Sequence, residues 1–391
     1  MDLSRYLVFD FSIPFWIISG VILLFFIIQL IYYLVIYRKP FVYEHKRDKN
    51  QLVSDNLPSV SVIIASKNES ENLAKYLPSI LVQNYPDFEV IVVNMGSTDE
   101  TDVLLKALNQ RYSNLYHTYV PAGAEDVNEK KLALTLGIKA AKNDVVLFTE
   151  AYCVPASDKW IQEFANEFSR GQDIVLGFCK LQIEKKVGMR KFILYDNMVH
   201  AMKYISLAVL GKPFMGIGRN LAYKKDIFFE EKGFSSVLNI DGGEDDLFIN
   251  KIAKKKKVGV VVSPESVTQS DVVNNFFTWR ALKSKYLYTK QFYGGVSSFI
   301  FGIETFSKYV FYLSVIGGIA YGVINKNYLL IALSVILLVI RFIVQLYVVG
   351  KNSRLFDAGK YHINLLFYDI FQPFNNFKFR KYANKRNRPK R

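Results

Sequence analysis

Hydrophobic residues fall along this chain in two patterns. Near the ends they form long unbroken blocks, and between the ends they form short runs separated by amphipathic stretches of helix length. Residues 13–37 (IPFWIISGVILLFFIIQLIYYLVIY) carry no charge and are long enough to cross a bilayer as one helix. The block is too long for a signal peptide, and no small-residue cleavage site follows it, which predicts a retained anchor. Residues 306–324 and 328–349 predict two further spans. Only Asn325, Lys326 and Asn327 separate them, so they form an antiparallel pair. Arg341 lies inside the last span, where a charge needs a packing partner or a lipid phosphate. Residues 361–374 are apolar but too short to span, and Pro373 interrupts them. They predict a segment lying on the membrane surface.

The region from Pro58 to about Tyr293 alternates differently. VSVIIA (60–65), FEVIVV (88–93), DVVLF (144–148) and VGVVV (258–262) are continuous apolar runs. Such runs suit strands buried on both faces of a parallel sheet. Helix-length stretches 69–83, 100–112 and 129–141 lie between them. The alternation predicts a doubly wound, mostly parallel α/β sheet, with ligands at the carboxyl ends of its strands. Neither a Walker phosphate loop nor a GxGxxG follows the first strand, which disfavours an ordinary NTPase or dinucleotide oxidoreductase.

Charge adds orientation. The net charge is +15, and the basic residues gather beside the apolar blocks. Arg38, Lys39, Lys46, Arg47 and Lys49 follow the first block. Lys378, Arg380, Lys381, Lys385, Arg386, Arg388, Lys390 and Arg391 crowd the tail. This placement predicts a cytoplasmic middle and tail and an affinity for anionic lipid. Nucleic acid is not the expected partner, because its binders carry charge on the folded domain among exposed aromatics. The expected organisation is an extracytoplasmic N-terminus (1–12), a span (13–37) and a cytoplasmic linker (38–57). A catalytic-sized domain (58–293), a membrane hairpin (294–350) and an interfacial segment with a basic tail (351–391) follow. The expected location is the cell membrane, with several spans. Cys153 and Cys179 make no disulfide framework, and the four histidines lack zinc spacing.

Polar and acidic groups collect where strands end. The first strand runs into Ser66, Lys67, Asn68 and Glu69, the second into Met95, Gly96 and Ser97, and the fourth into Glu150, Ala151 and Tyr152. Farther on stand Gly242, Gly243, Glu244, Asp245 and Asp246, just before a helix. Adjacent carboxylates raise one another's pKa and so need solvation or a purpose. Acidic helix N-termini are also common, because they stabilise the macrodipole.

Taken together, PSVSVIIASKNESENL, FEVIVVNMGSTDET, NEKKLALTLGIKAA, LFTEAYCVP, KPFMGIGRNLAYKK and GGEDDLFINK resemble the membrane-attached family 2 glycosyltransferases of the GT-A fold. The resemblance covers about residues 58–293. It implies a nucleotide-sugar donor, a UDP-sugar, over the carboxyl edge, contacted by Ser66, Asn68, Glu69, Met95, Lys131, Glu150 and Tyr152. It implies a divalent metal, magnesium or manganese, at Glu150, and Asp245 as the base with Glu244 beside it. Trp279, Lys283, Lys285, Arg219 and Asn220 would meet the acceptor or the diphosphate. The expected reaction is a single displacement with inversion onto a lipid-linked or polysaccharide acceptor, beside other envelope polysaccharide enzymes. The chain departs from the family pattern at three places. Met95 replaces an aspartate, Glu150 and Tyr152 replace the two acids of Asp-Ala-Asp, and Leu282 replaces a glutamine. A metal is therefore expected to bind weakly. A second reading, a glycosyltransferase-like binding or scaffold subunit, stays open beside the first. Three spans are too few for a transport pore.

Overall fold

The computed structural model describes residues 11–49, 57–121 and 128–387. The N-terminal residues 1–10, residues 50–56 of the expected linker and the basic residues 388–391 lie outside them. The strands are β1 (Val60–Ser66), β2 (Phe88–Asn94), β3 (Leu115–Tyr119), β4 (Val145–Phe148) and β5 (Cys153–Pro155). They continue with β6 (Ile174–Leu176), β7 (Cys179–Leu181), β8 (Leu221–Lys224), β9 (Val258–Val260) and β10 (Thr268–Ser270). Seven of them form one sheet in the order β3-β2-β1-β4-β8-β6-β9, and β5, β10 and β7 form a second, smaller one. The pairs β1–β2, β1–β4 and β2–β3 are parallel, whereas β8 runs antiparallel to β4 and β6.

β1 explains why its run is continuously apolar. All seven residues are buried. Val60, Val62 and Ile64 enter one apolar cluster, and Ile63 and Ala65 enter another on the opposite face. Each fully buried Val or Ile contributes about 1.5–3 kcal/mol. Helix Glu129–Ala140 packs so closely on this sheet that a Cβ at Gly137 would stand 2.7 Å from Ile63 Cγ2. A larger residue there forces the helix off the sheet.

Among the described residues, three helices are long and apolar enough to cross a membrane: Ile13–Arg47, Ser297–Ile324 and Tyr328–Leu355. The first runs through a π-helical stretch, Tyr32–Tyr37, into helix Lys39–Lys49. The start of the expected linker is therefore rigid. Arg47 docks it onto the domain by bonding Glu163 at 2.5 Å and Glu167 at 3.1 Å. Arg341 is fully buried and finds protein rather than lipid. Its Nη2 donates to Gln29 Oε1 and Asp369 Oδ2, each at 2.8 Å. Pro373 does not break its segment, because helix Asn364–Arg386 runs straight through it. Packing against helix Phe276–Thr289, where Trp279 meets Phe379 with ring centroids 4.9 Å apart, offsets the lost backbone bond. The same helix exposes Phe367, Phe371, Phe374 and Phe377 along one stripe, which suits a bilayer surface.

Candidate active site

Parallel β1, β2 and β4 deliver their following loops to one edge of the sheet. Asn68, in left-handed backbone (φ 55°), joins the first two loops: its N–H donates to Ser97 Oγ at 2.9 Å, and its Oδ1 accepts from Thr98 N at 2.8 Å. Glu69 accepts from Asn72, and burial raises its carboxyl above the ordinary value. Ser66 is buried, and its hydroxyl has no partner among the described residues. Met95 packs partly buried against the larger apolar cluster.

Helix Glu129–Ala140 reaches this edge with Lys130, not Lys131. Asn128 caps the helix by accepting from Lys131 N at 3.3 Å, and Lys130 and Leu134, one turn apart, then face the cleft. Lys131 is buried elsewhere, with its ammonium on the carbonyl of Ile240, and so steadies the segment leading to the acidic loop. Lys130 Nζ stands 2.5 Å from Glu150 and 3.2 Å from Glu244, and Lys285 Nζ stands 2.7 Å from the same Glu244 oxygen. Burial alone would raise the Glu244 carboxyl, but the two ammonium groups outweigh it and hold the carboxyl well below its ordinary range. Burial likewise disfavours charge on Lys130, and Glu150 and Glu244 overcome it, so Lys130 stays protonated.

The acidic loop needs its glycines. Gly243 has φ +86°, and a Cβ there would stand 2.6 Å from Leu247 Cδ1. Asp245 then caps helix Asp246–Ile252 through the Asp246 N–H at 2.8 Å. Its Oδ2 accepts from Gly218 N and from Tyr286 OH, both at 2.8 Å. A side chain at Gly218 would press on Asp245, with Cβ 3.3 Å from Cβ. Asp246 accepts from Tyr293 OH at 2.6 Å and from Thr289. Burial, with Asp245 adding to it, pushes the Asp246 carboxyl up to about 7.

The residues expected to meet the acceptor divide into three groups. Asn220 does not face the site: its amide donates to Phe178 O and Ser266 O at 2.8 Å and accepts from Trp160 Nε1 at 2.9 Å. With every polar atom bonded to scaffold, it holds the Arg219 loop in place. Trp279 is anchored among Phe192, Phe276 and Phe379 and shows one side to a cavity. Lys283 and Lys285 point apart, Lys283 to Asp196 in that cavity and Lys285 to the donor edge. Lys130 and Tyr286 escaped sequence reasoning. One signal was available for Tyr286: Trp279, Lys283, Tyr286 and Lys290 recur at the spacing of one helix face.

The carboxyl edge offers a divalent cation few free carboxylate oxygens. Lys130 engages Glu150, and Tyr152 keeps its proton because burial pushes its phenol well up. Among the described residues, no three His, Cys, Asp or Glu side chains gather to hold a metal. Magnesium is usually held by one or two carboxylates together with substrate phosphates, and here the single carboxylate Glu150 already carries the Lys130 ammonium.

Asp245 thus stands at the carboxyl edge of the sheet and lines a cleft with Lys130, Glu150 and Glu244. Residues 61–230 match the Glycosyl transferase family 2 model, and this stretch is a family 2 glycosyltransferase domain. The chain is similar to glycosyltransferase AglE of Haloferax volcanii, at 32% identity over 129 residues, 32% of this chain and 40% of that one. It is also similar to poly-beta-1,6-N-acetyl-D-glucosamine synthase of Staphylococcus epidermidis, at 30% over 138 residues, 34% of this chain and 31% of that one. The matches thus span well under half of these relatives. Among solved structures, the mannosyltransferase PcManGT from Pyrobaculum calidifontis, in complex with GDP-Man and Mn2+, shares the fold. The TM-score is 0.51 at 17% identity, over 92% of this chain and 99% of that one. The family match stops before the acidic loop, so the roles of Asp245 and Lys285 rest on geometry.

Proposed function

We propose that the chain is an inverting glycosyltransferase that moves a sugar from a UDP-sugar to a lipid-linked or polysaccharide acceptor at the cell membrane. The single observation that carries this reading is the setting of Asp245. Three donors fix its carboxylate at the carboxyl edge of the sheet, and an acidic cleft bridged by Lys130 and Lys285 opens beside it. An acceptor hydroxyl entering there gives its proton to Asp245 while its oxygen bonds to the anomeric carbon. The bond from that carbon to the diphosphate breaks on the opposite face, and its electron pair leaves with UDP. Lys130 and Lys285 are charged groups held in place before the reaction, so they meet the developing negative charge with little reorganisation. A divalent metal, where bound, would be held weakly by Glu150 with the diphosphate and would add to the charge that Lys130 and Lys285 supply.

The domain, residues 58–293, faces the cytoplasm in this reading, where nucleotide sugars are made. The basic residues after the first span and along helix Asn364–Arg386 support that orientation. Other envelope polysaccharide enzymes are the natural neighbours of such a transferase.

Asp245→Asn tests the assignment, because it keeps the shape and removes the basicity. Turnover of the UDP-sugar falls about 10²–10⁴-fold while UDP affinity holds. Equal turnover by the variant excludes Asp245 as the base. UDP binding by a wild type that never turns over would favour the scaffold reading, to which Met95, Tyr152 and Leu282 lend support.

A further inference from the structure

A run of four lysines, Lys254 to Lys257, follows helix Asp246–Ile252. Lys254, Lys255 and Lys257 are exposed, and none of these side chains pairs with a carboxylate among the described residues. Their neighbours are matched: Lys251 stands 3.3 Å from Glu231, and Lys256 stands 2.7 Å from Glu230. Like charges so close together repel one another, and a counter-charge from outside the chain relieves those that are left.

The patch is held beside a long apolar helix. Asn250, on helix Asp246–Ile252, accepts from Gly294 N at 2.8 Å and donates to the carbonyls of Phe214 at 2.8 Å and Gly294 at 3.2 Å. A Cβ at Gly294 would stand 2.9 Å from Lys254 Nζ, so that ammonium rests against the backbone just ahead of helix Ser297–Ile324. There the surface turns apolar, for Phe292, Val296 and Phe299 are all exposed. Basic residues, then exposed apolar ones, then a helix of spanning length follow the order of a bilayer's headgroup and hydrocarbon layers. A single-stranded nucleic acid would call for aromatics set among the lysines, where bases can stack on them.

We propose that Lys254, Lys255 and Lys257 form a docking surface for the anionic headgroups of a lipid bilayer, which they meet beside the base of helix Ser297–Ile324. The domain then rests on the bilayer through its own fold as well as through the basic tail. The acidic loop is tied to the same surface, because Asp245 caps the helix whose other end leads into the lysines. This goes beyond the transferase reading and holds whether or not the chain transfers a sugar. It rests on helix Ser297–Ile324 entering the bilayer.

Amine labelling of the full-length protein, read lysine by lysine by mass spectrometry, tests this in two lipid nanodiscs. One disc is phosphatidylcholine alone, and in the other about a third of the lipid is phosphatidylglycerol, which gives the surface a negative potential. Labelling of Lys254, Lys255 and Lys257 slows about threefold in the anionic disc, because such a surface concentrates protons by that factor and keeps nearby amines charged. The slowing disappears in molar salt, where the surface field is screened within a few ångströms. Lys106 serves as the control. It lies on helix Thr101–Arg111, which packs by edge strand β3, whereas Lys257 leads into the opposite edge strand β9. It labels equally in both discs. Equal labelling of the three lysines, or a slowing that Lys106 shares, overturns the proposal. The same slowing produced by millimolar phosphate in the phosphatidylcholine disc overturns the lipid assignment and leaves a free-anion site. Elution of the protein apart from the discs refutes the membrane reading beneath the proposal, whereas equal labelling in protein-bearing discs refutes the docking surface alone.

Discussion

The phenol of Tyr286, which lines a cavity with Trp279 and Arg219, donates to Asp245 Oδ2 at 2.8 Å. Burial, with Asp245 adding to it, pushes that phenol well above its ordinary pKa, so it acts as a fixed donor and not as an acid. It sets the direction in which the Asp245 carboxylate points. Tyr286→Phe removes the donor and keeps the ring. The expected outcome is a kcat about tenfold lower with little change in KM for the UDP-sugar, because the lost bond, worth about 1.5–3 kcal/mol, orients the base and does not hold the donor. A rise in KM with kcat intact would place Tyr286 in donor binding.

Charge keys the long apolar helices to helix Asn364–Arg386. Asp369 accepts from Arg341 at 2.8 Å and from Lys308 at 2.9 Å, and all three side chains are buried. Asp369→Asn leaves two cations short of their shared carboxylate. Breaking one side of a buried pair costs about 3–5 kcal/mol, whereas replacing both sides with apolar residues is often neutral. Thermal unfolding in detergent should show Asp369→Asn strongly destabilised and the double variant Arg341→Met with Asp369→Leu partly recovered, because Lys308 keeps Glu304 at 3.1 Å. Equal stability of the single variant and wild type would contradict the pairing.

Asp246 carries a pH dependence. Its carboxyl is pushed up to about 7 from an ordinary value of 3.8. Between those two values the unfolded chain has lost the proton that the folded protein still holds. The folded state binds more protons in that window, so this group lowers stability as pH rises, by up to about 1.4 kcal/mol per pH unit. Asp246→Asn removes the slope. The difference in unfolding free energy between variant and wild type should grow in the variant's favour from about pH 4 to pH 7, then level. A constant difference would show that Asp246 is ionised throughout.

Much of this structure was legible in the chain. β1, β2 and β4 coincide with the continuous apolar runs, because a strand buried on both faces has no polar position to break the pattern. The acidic loop was legible because Gly242 and Gly243 precede three carboxylates. The helix through Pro373 was not: packing of Phe379 on Trp279 is a tertiary contact that overrides a local breaker. Neither was the docking of Arg47, which depends on Glu163 and Glu167 more than a hundred residues away. Lys130 and Lys131 are indistinguishable in sequence. The rotation of their helix, set by the Asn128 cap and the contact at Gly137, decides which one meets the cleft. Asn220 looked like a ligand-binding residue because its partners, two carbonyls and a tryptophan, come from three separate segments.

The most direct measurement is isothermal titration of UDP into the purified full-length protein, first in EDTA and then in manganese, for wild type and Lys130→Met. With Lys130 and Lys285 as the cations facing the diphosphate, wild type binds UDP in EDTA and gains less than about twofold from manganese. Lys130→Met loses about tenfold or more in EDTA, since a charge-assisted contact is worth about 1.5–3 kcal/mol. UDP binding that appears only with manganese and is indifferent to Lys130→Met would contradict the account.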